Sequence, residues 1–124
     1  VITNTKIYCV ECKNFNGFIR GSRLDVDWVF ASSGCKGKVF NPILSNEKHI
    51  RTIRGLLRKN SMNLYEIENI VCVPNGTKIH TECKEVLNLS SFLRRLKEDS
   101  HLNPKYNIGE VSKDFDILKW KGSE

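Results

Sequence analysis

The sequence has no run of about 18 uninterrupted apolar residues, so no obvious membrane-spanning helix is present. No charged-then-apolar leader opens the chain, and Val1 is not an initiating Met, which fits a fragment or a processed chain. Secretion is therefore disfavoured. The cysteine count is odd, at 5. A complete set of internal disulfides is therefore impossible, and a reduced, cytoplasmic protein is the expectation. There is no internal repeat and no low-complexity tract. Acids are scarce in one half only: residues 1–62 hold 4 Asp and Glu against 11 Lys and Arg, whereas residues 63–124 hold 10 against 9.

What is present suits one domain. The 124 residues are 40% hydrophobic, enough for a single core. The net charge of +6 comes wholly from the first half. Such a surface fits a polyanion such as nucleic acid, or is an ordinary basic solvated surface.

The stretch Lys6–Gly21 organises the rest. Ile7, Tyr8, Cys9 and Val10 suit a buried strand. Glu11 and Lys13 then intrude, two residues apart and so on one strand face, with Cys12 on the other. One reading is a satisfied ion pair at a strand end. The other is metal-assisted hydrolysis, with a carboxylate to hold a hard cation and a lysine to orient water.

In order along the chain stand Glu11-Cys12-Lys13-Asn14, Gly17-x-Ile19-x-Gly21, Trp28, Asn41-Pro42 and His49. This series resembles the nuclease-related domain, NERD, a branch of the PD-(D/E)XK nuclease superfamily, over roughly residues 1–100 and more loosely after Lys59. The resemblance implies an α/β fold, a restriction-endonuclease-like mixed central sheet flanked by helices, in an N-terminally incomplete copy. It implies Mg2+ (or Mn2+) bound by Glu11, the Cys12 carbonyl and an Asp upstream of Val1, with Lys13 positioning the attacking water. Glu11 and Lys13 are the catalytic pair it implies, and Asn14 would hold a phosphate oxygen. Nucleic acid, DNA in particular, is the implied partner. Two departures stand out: the Asp precedes Val1, and Ser45 occupies the place where the family usually has Gln. They leave a second expectation open, a non-catalytic DNA-binding or assembly module.

The remaining chain reads as alternating strands and helices. Asn16-Gly17 suggests a tight turn into an antiparallel strand over Phe18–Ser22, followed by another over Leu24–Ala31. Trp28 and Phe30 share a face there and read as core before base-stacking residues. Ser32–Lys38 reads as a flexible loop carrying Lys36 and Lys38. Asn41-Pro42 starts the clearest helix, with Ile43, Ile50, Ile53 and Leu57 on one side. Its other side carries Lys48, Arg51 and Arg58 with Glu47 as the one acid, which makes either a DNA-backbone rail or a solvated face. With Arg20, Lys36 and Lys38, these are the expected backbone contacts. His49 suggests a structural hydrogen-bonding role.

Glu68–Pro74 reads as a buried strand parallel to a neighbour, Thr77–Thr81 as a short edge strand, and Leu89–Asp99 as a helix. Residues 1–110 form the expected NERD-like domain. Residues 111–124 form an extension with weak helical spacing in Phe115, Leu118 and Trp120. Cys9, Cys12, His80 and Cys83 could in principle staple a structural zinc, but residues three apart on a strand face opposite ways. No base-reading module and no oligomeric state is indicated.

Overall fold

The structure, a computed structural model, describes residues 1–122, with side chains through Lys119. Its elements are β1 (Ile7–Cys12), β2 (Phe18–Arg20), β3 (Asp27–Ser32), β4 (Cys35–Phe40), α1 (Pro42–Lys59), β5 (Ile67–Val73), β6 (Lys78–His80), β7 (Val86–Asn88), α2 (Leu89–Asp99) and α3 (Ile108–Gly122). The class is α/β, with strands in two sheets and three helices among the described residues.

The first sheet is all parallel, in the order β1-β5-β7. Strand alternation sends odd and even residues of β1 to opposite layers. Ile7 packs with Ile50 and Leu57 of α1. Tyr8 packs with Ile70, Cys72 and Phe92, the last from α2. The sheet is thus covered on both faces, as parallel sheets require. Ile67–Val73 reads as an almost unbroken apolar run for that reason.

The second sheet has the order β4-β3-β2-β6 and is mixed: β2 pairs β3 antiparallel and β6 parallel. The two sheets meet end to end. The parallel pairing of β1 with β5 resumes as that of β2 with β6 after a break over residues 13–17 and 74–77. Pro74 lacks the N–H needed to extend the ladder. The break is bridged by Lys13 N to Cys72 O at 3.0 Å, Lys78 N to Gly17 O at 2.9 Å, and the Thr77 hydroxyl donating to Phe15 O.

Asn16-Gly17 therefore makes a bend between sheets and not a hairpin, so Phe18–Arg20 does not pair with β1 as expected. Gly17 is needed there because a Cβ would sit 2.8 Å from Ala31 O. The stretch read as a flexible loop is also different: Cys35–Phe40 is a strand paired along its length with β3. Ser33 and Gly34 both have positive φ, at 51° and 81°, which makes the tight hairpin turn. Lys36 and Lys38 therefore stand on a regular strand.

The inner face of the second sheet closes on Ile43 at the start of α1. Ile19, Trp28 and Ile43 are fully buried there with Val71, Cys83 and Val86. Each such large apolar side chain contributes roughly 1.5–3 kcal/mol. Gly21 lies directly against the indole: a Cβ at that position would stand 2.2 Å from Trp28 Cγ. The indole N–H donates to Ser22 O at 2.8 Å. Asn41 caps α1 through Ile43 N at 3.0 Å, while its amide donates to Arg23 O and Asp25 O at 3.1 and 2.8 Å. Gly21, Trp28 and Asn41 are thus one unit that fixes where α1 begins.

The helix weakly signalled near the C-terminus runs over Ile108–Gly122, so the division expected between residues 110 and 111 falls inside it. Val111 and Leu118 are buried in the core with Ile7, Ile50 and Leu57. The Trp120 side chain, Ser123 and Glu124 lie outside the described residues.

Candidate active site

Glu11 is the last inward-facing residue of β1 on the α1 side, one layer beyond Cys9. The same turn of α1 that places Ser45 and Asn46 lies over it. Asn46 is buried and locks the helix to the sheet: its amide donates to Cys9 O and Asn69 Oδ1, both at 2.7 Å, and to Ile70 O at 3.3 Å. Asn69 in turn donates to Ile43 O at 3.0 Å. The only sequence signal of this network was two Asn at otherwise apolar layers of α1 and β5.

Held this way, Ser45 Oγ stands 3.5 Å from Glu11 Oε1. Lys13 Nζ stands 3.3 Å from the same oxygen. Side-chain exposure is 16% for Glu11 and 27% for Lys13, so the pair sits in a partly desolvated recess with a solvent path. The other carboxylate oxygen, Glu11 Oε2, is buried and has no hydrogen-bond partner. Among the described residues it is the one buried side-chain polar atom in that condition. An unpartnered buried carboxylate oxygen costs free energy and calls for a reason.

Cys12 completes the local geometry. In the parallel ladder Ile7 N takes Glu66 O and Lys13 N takes Cys72 O, so odd residues of β1 bond to β5. Alternation then turns the Cys12 carbonyl to the free side of β1. On that side Val1 and Tyr8 exchange backbone hydrogen bonds at 2.7 and 2.8 Å. A carboxylate with one unpartnered oxygen and an outward carbonyl on the adjacent residue are hard oxygen donors, the chemistry that suits a divalent cation such as Mg2+ or Mn2+.

The sequence-predicted residues fall into three groups. Glu11, Cys12, Lys13 and Asn14 are together at the end of β1, with Asn14 exposed beside Lys13. Arg20, Lys36 and Lys38 share one exposed face of the second sheet, away from Glu11's layer. Lys48 on α1 adjoins that face, with Nζ 5.0 Å from the Phe40 ring centre. Arg51 and Arg58 are exposed farther along α1, Arg58 about 15 Å beyond Lys48 along the axis. His49 is exposed and makes no hydrogen bond among the described residues.

The zinc staple does not form. Cys9 Sγ donates to Asn46 Oδ1 at 3.2 Å, Cys83 is buried beside Trp28, and Cys12 and His80 are exposed. Burial also pushes the Cys9 thiol up, away from the thiolate a metal would need. No group of three or more His, Cys, Asp or Glu among the described residues is placed to hold a metal.

Residues 1–74 match the sequence profile of the nuclease-related domain, NERD. The chain belongs to the NERD family. It is also 31% identical over 91 residues to an uncharacterized protein of Bacillus anthracis. That alignment covers 70% of this chain and 42% of the relative, so the chain spans less than half of that protein's length. No solved structure matches. The NERD match covers the Glu11–Lys13 pair, the Gly21–Trp28–Asn41 unit and α1, ending at Pro74 where β5 breaks.

Proposed function

We propose that this NERD-family chain carries the main part of a metal-dependent nuclease site, and that the protein hydrolyses phosphodiester bonds of DNA. The observation that carries the reading is the split environment of Glu11. One oxygen faces Lys13 and Ser45, and the other is buried with no partner. A bound Mg2+ or Mn2+ would polarise the phosphate and supply an activated water.

Within this reading Glu11 Oε2 and the Cys12 carbonyl would hold the ion, together with the Asp that the family's ligand set includes and the described residues do not supply at this site. Lys13 orients the attacking water and offsets the charge that develops on the phosphate. Its ion pair with Glu11 keeps the ammonium head at the same recess. Asn14, exposed at the next position, holds a phosphate oxygen. Arg20, Lys36, Lys38, Lys48, Arg51 and Arg58 are exposed and outside the five ion pairs of the described residues, which leaves them available to a nucleic-acid backbone.

A second reading, a DNA-binding module that does not cut, is favoured by Ser45. Where the family usually has Gln, the shorter hydroxyl reaches Glu11 only at 3.5 Å. Nicking of plasmid DNA by the full-length protein in Mg2+ decides between them. Glu11→Ala is expected to lower cutting on the order of 100- to 1000-fold. Equal cutting by wild type and variant would reject the catalytic assignment. Binding without any cutting would establish the second reading.

A further inference from the structure

The outer face of the second sheet is uncovered, and its composition follows from the strand register. Cross-strand partners share a face. One row across the sheet is Lys36, Ala31, Phe18 and Lys78. The next is Lys38, Val29, Arg20 and His80. Cations therefore stand on both edge strands, β4 and β6, and a half-buried apolar strip of Phe18, Ala31 and Val29 lies between them. The stems of Lys36 and Lys78 are about 14 Å apart, and the rows about 7 Å apart, from ordinary strand spacings.

None of the four cations takes part in an ion pair of the described residues. Among the described strand residues of this face the one acid is Asp27, in the following row opposite Phe40, and Glu82 bonds the Ser22 hydroxyl beyond the strand ends. The strip is not merely greasy. The Arg20 guanidinium sits 5.6 Å from the Phe18 ring centre, and the His80 ring meets Phe18 edge-on at 6.2 Å. Phe18 and Arg20 thus stand between the two rims, and the flat ring of His80 joins them from the β6 rim.

We propose that this face is a platform for single-stranded nucleic acid, with phosphates on the β4 and β6 rims and a base against the Phe18 cluster. A duplex offers phosphates but keeps its bases stacked inside, so the flat groups would gain nothing from it. An acidic peptide would satisfy the rims but not the strip. A single strand presents both chemistries at once, and cationic grooves lined with planar side chains suit it. The platform deepens the nucleic-acid reading above and does not depend on cleavage. It faces away from Glu11, so it would hold a strand separately from the cutting site.

The test is fluorescence anisotropy of labelled oligothymidylate with the full chain in EDTA, where cutting plays no part. Lys36→Gln with Lys78→Gln is expected to make the slope of log affinity against log salt shallower by about 1.4. Phe18→Leu, checked for folding by circular dichroism, is expected to weaken single-strand binding about 5-fold or more. Because the assay holds no divalent metal, its readout is binding alone, which separates failure of the platform from failure of the nuclease site. Lys84→Gln with Lys97→Gln, exposed cations elsewhere, serves as the charge control. The platform is overturned if the control pair weakens binding equally, if a duplex of the same length binds as tightly, or if polyglutamate competes as well as the oligonucleotide.

Discussion

Two carboxylates flank β1, one on each side of the sheet, and they live differently. On the α2 side Asp99 is 4% exposed and fully engaged. Its Oδ1 accepts from the Thr5 hydroxyl at 2.7 Å, and its Oδ2 from Tyr8 at 2.7 Å and Thr3 at 3.3 Å. On the α1 side Glu11 has one oxygen in use and one buried and idle. Burial by itself would raise the Asp99 pKa, but the three hydroxyl donors and the nearby Lys6 charge outweigh it and hold the group below the ordinary aspartate value. Asp99 ties the end of α2 to the start of the chain. Glu11 ties nothing that needs its second oxygen. A satisfied buried acid is architecture, whereas a half-satisfied one at a strand end keeps an unused acceptor, the feature on which the proposed metal site rests.

The largest test of that contrast removes each acid in turn. Asp99→Ala strands two buried hydroxyls, those of Thr5 and Tyr8, and is expected to cost about 3 kcal/mol of stability, read from the urea midpoint at neutral pH. A loss below about 1 kcal/mol would show that the Asp99 network does not hold α2. The pH dependence comes next in size. Because the folded pKa of Asp99 is depressed, its contribution is complete above the unfolded aspartate value near 3.9 and is lost as pH falls through the lower folded value. Unfolding midpoints between neutral and acid pH are expected to fall more steeply for wild type than for Asp99→Asn. Parallel curves would contradict this. The smallest effect is expected at the other acid: Glu11→Gln keeps the shape, loses only a partly exposed ion pair, and is expected to shift stability by less than about 1 kcal/mol. A change as large as that of Asp99→Ala would make Glu11 a structural residue too, and dissolve the contrast.

How much of this the sequence could disclose depends on range. α1 was legible because its signals are local: an Asn cap, Pro at the first position, and Ile43, Ile50 and Leu57 on one side. β5 was legible as an apolar run between polar ends. β4 was not, since Cys35-Lys36-Gly37-Lys38 has too few apolar residues to show alternation. Its strand character comes from β3 and from the Ser33-Gly34 turn. β7 has only three residues and was missed for the same reason. At the candidate site, the pairing of Glu11 with Lys13 is a matter of strand pleat and could be read directly. The idle oxygen could not, because it depends on where Asn46 seats α1 across 37 residues of chain. The Asp99 network spans more than 90 residues and leaves no local trace.

The fit of Gly21 under the Trp28 indole has an evolutionary corollary. The space taken by the ring is the space a side chain at 21 would fill, so neither position is free to drift alone. A lineage that replaces the glycine must first shrink or lose the tryptophan, passing through an intermediate with a hole in the inner layer. The two residues should therefore be inherited as a couple, and a sequence bearing only one of them should start its long helix in a different place.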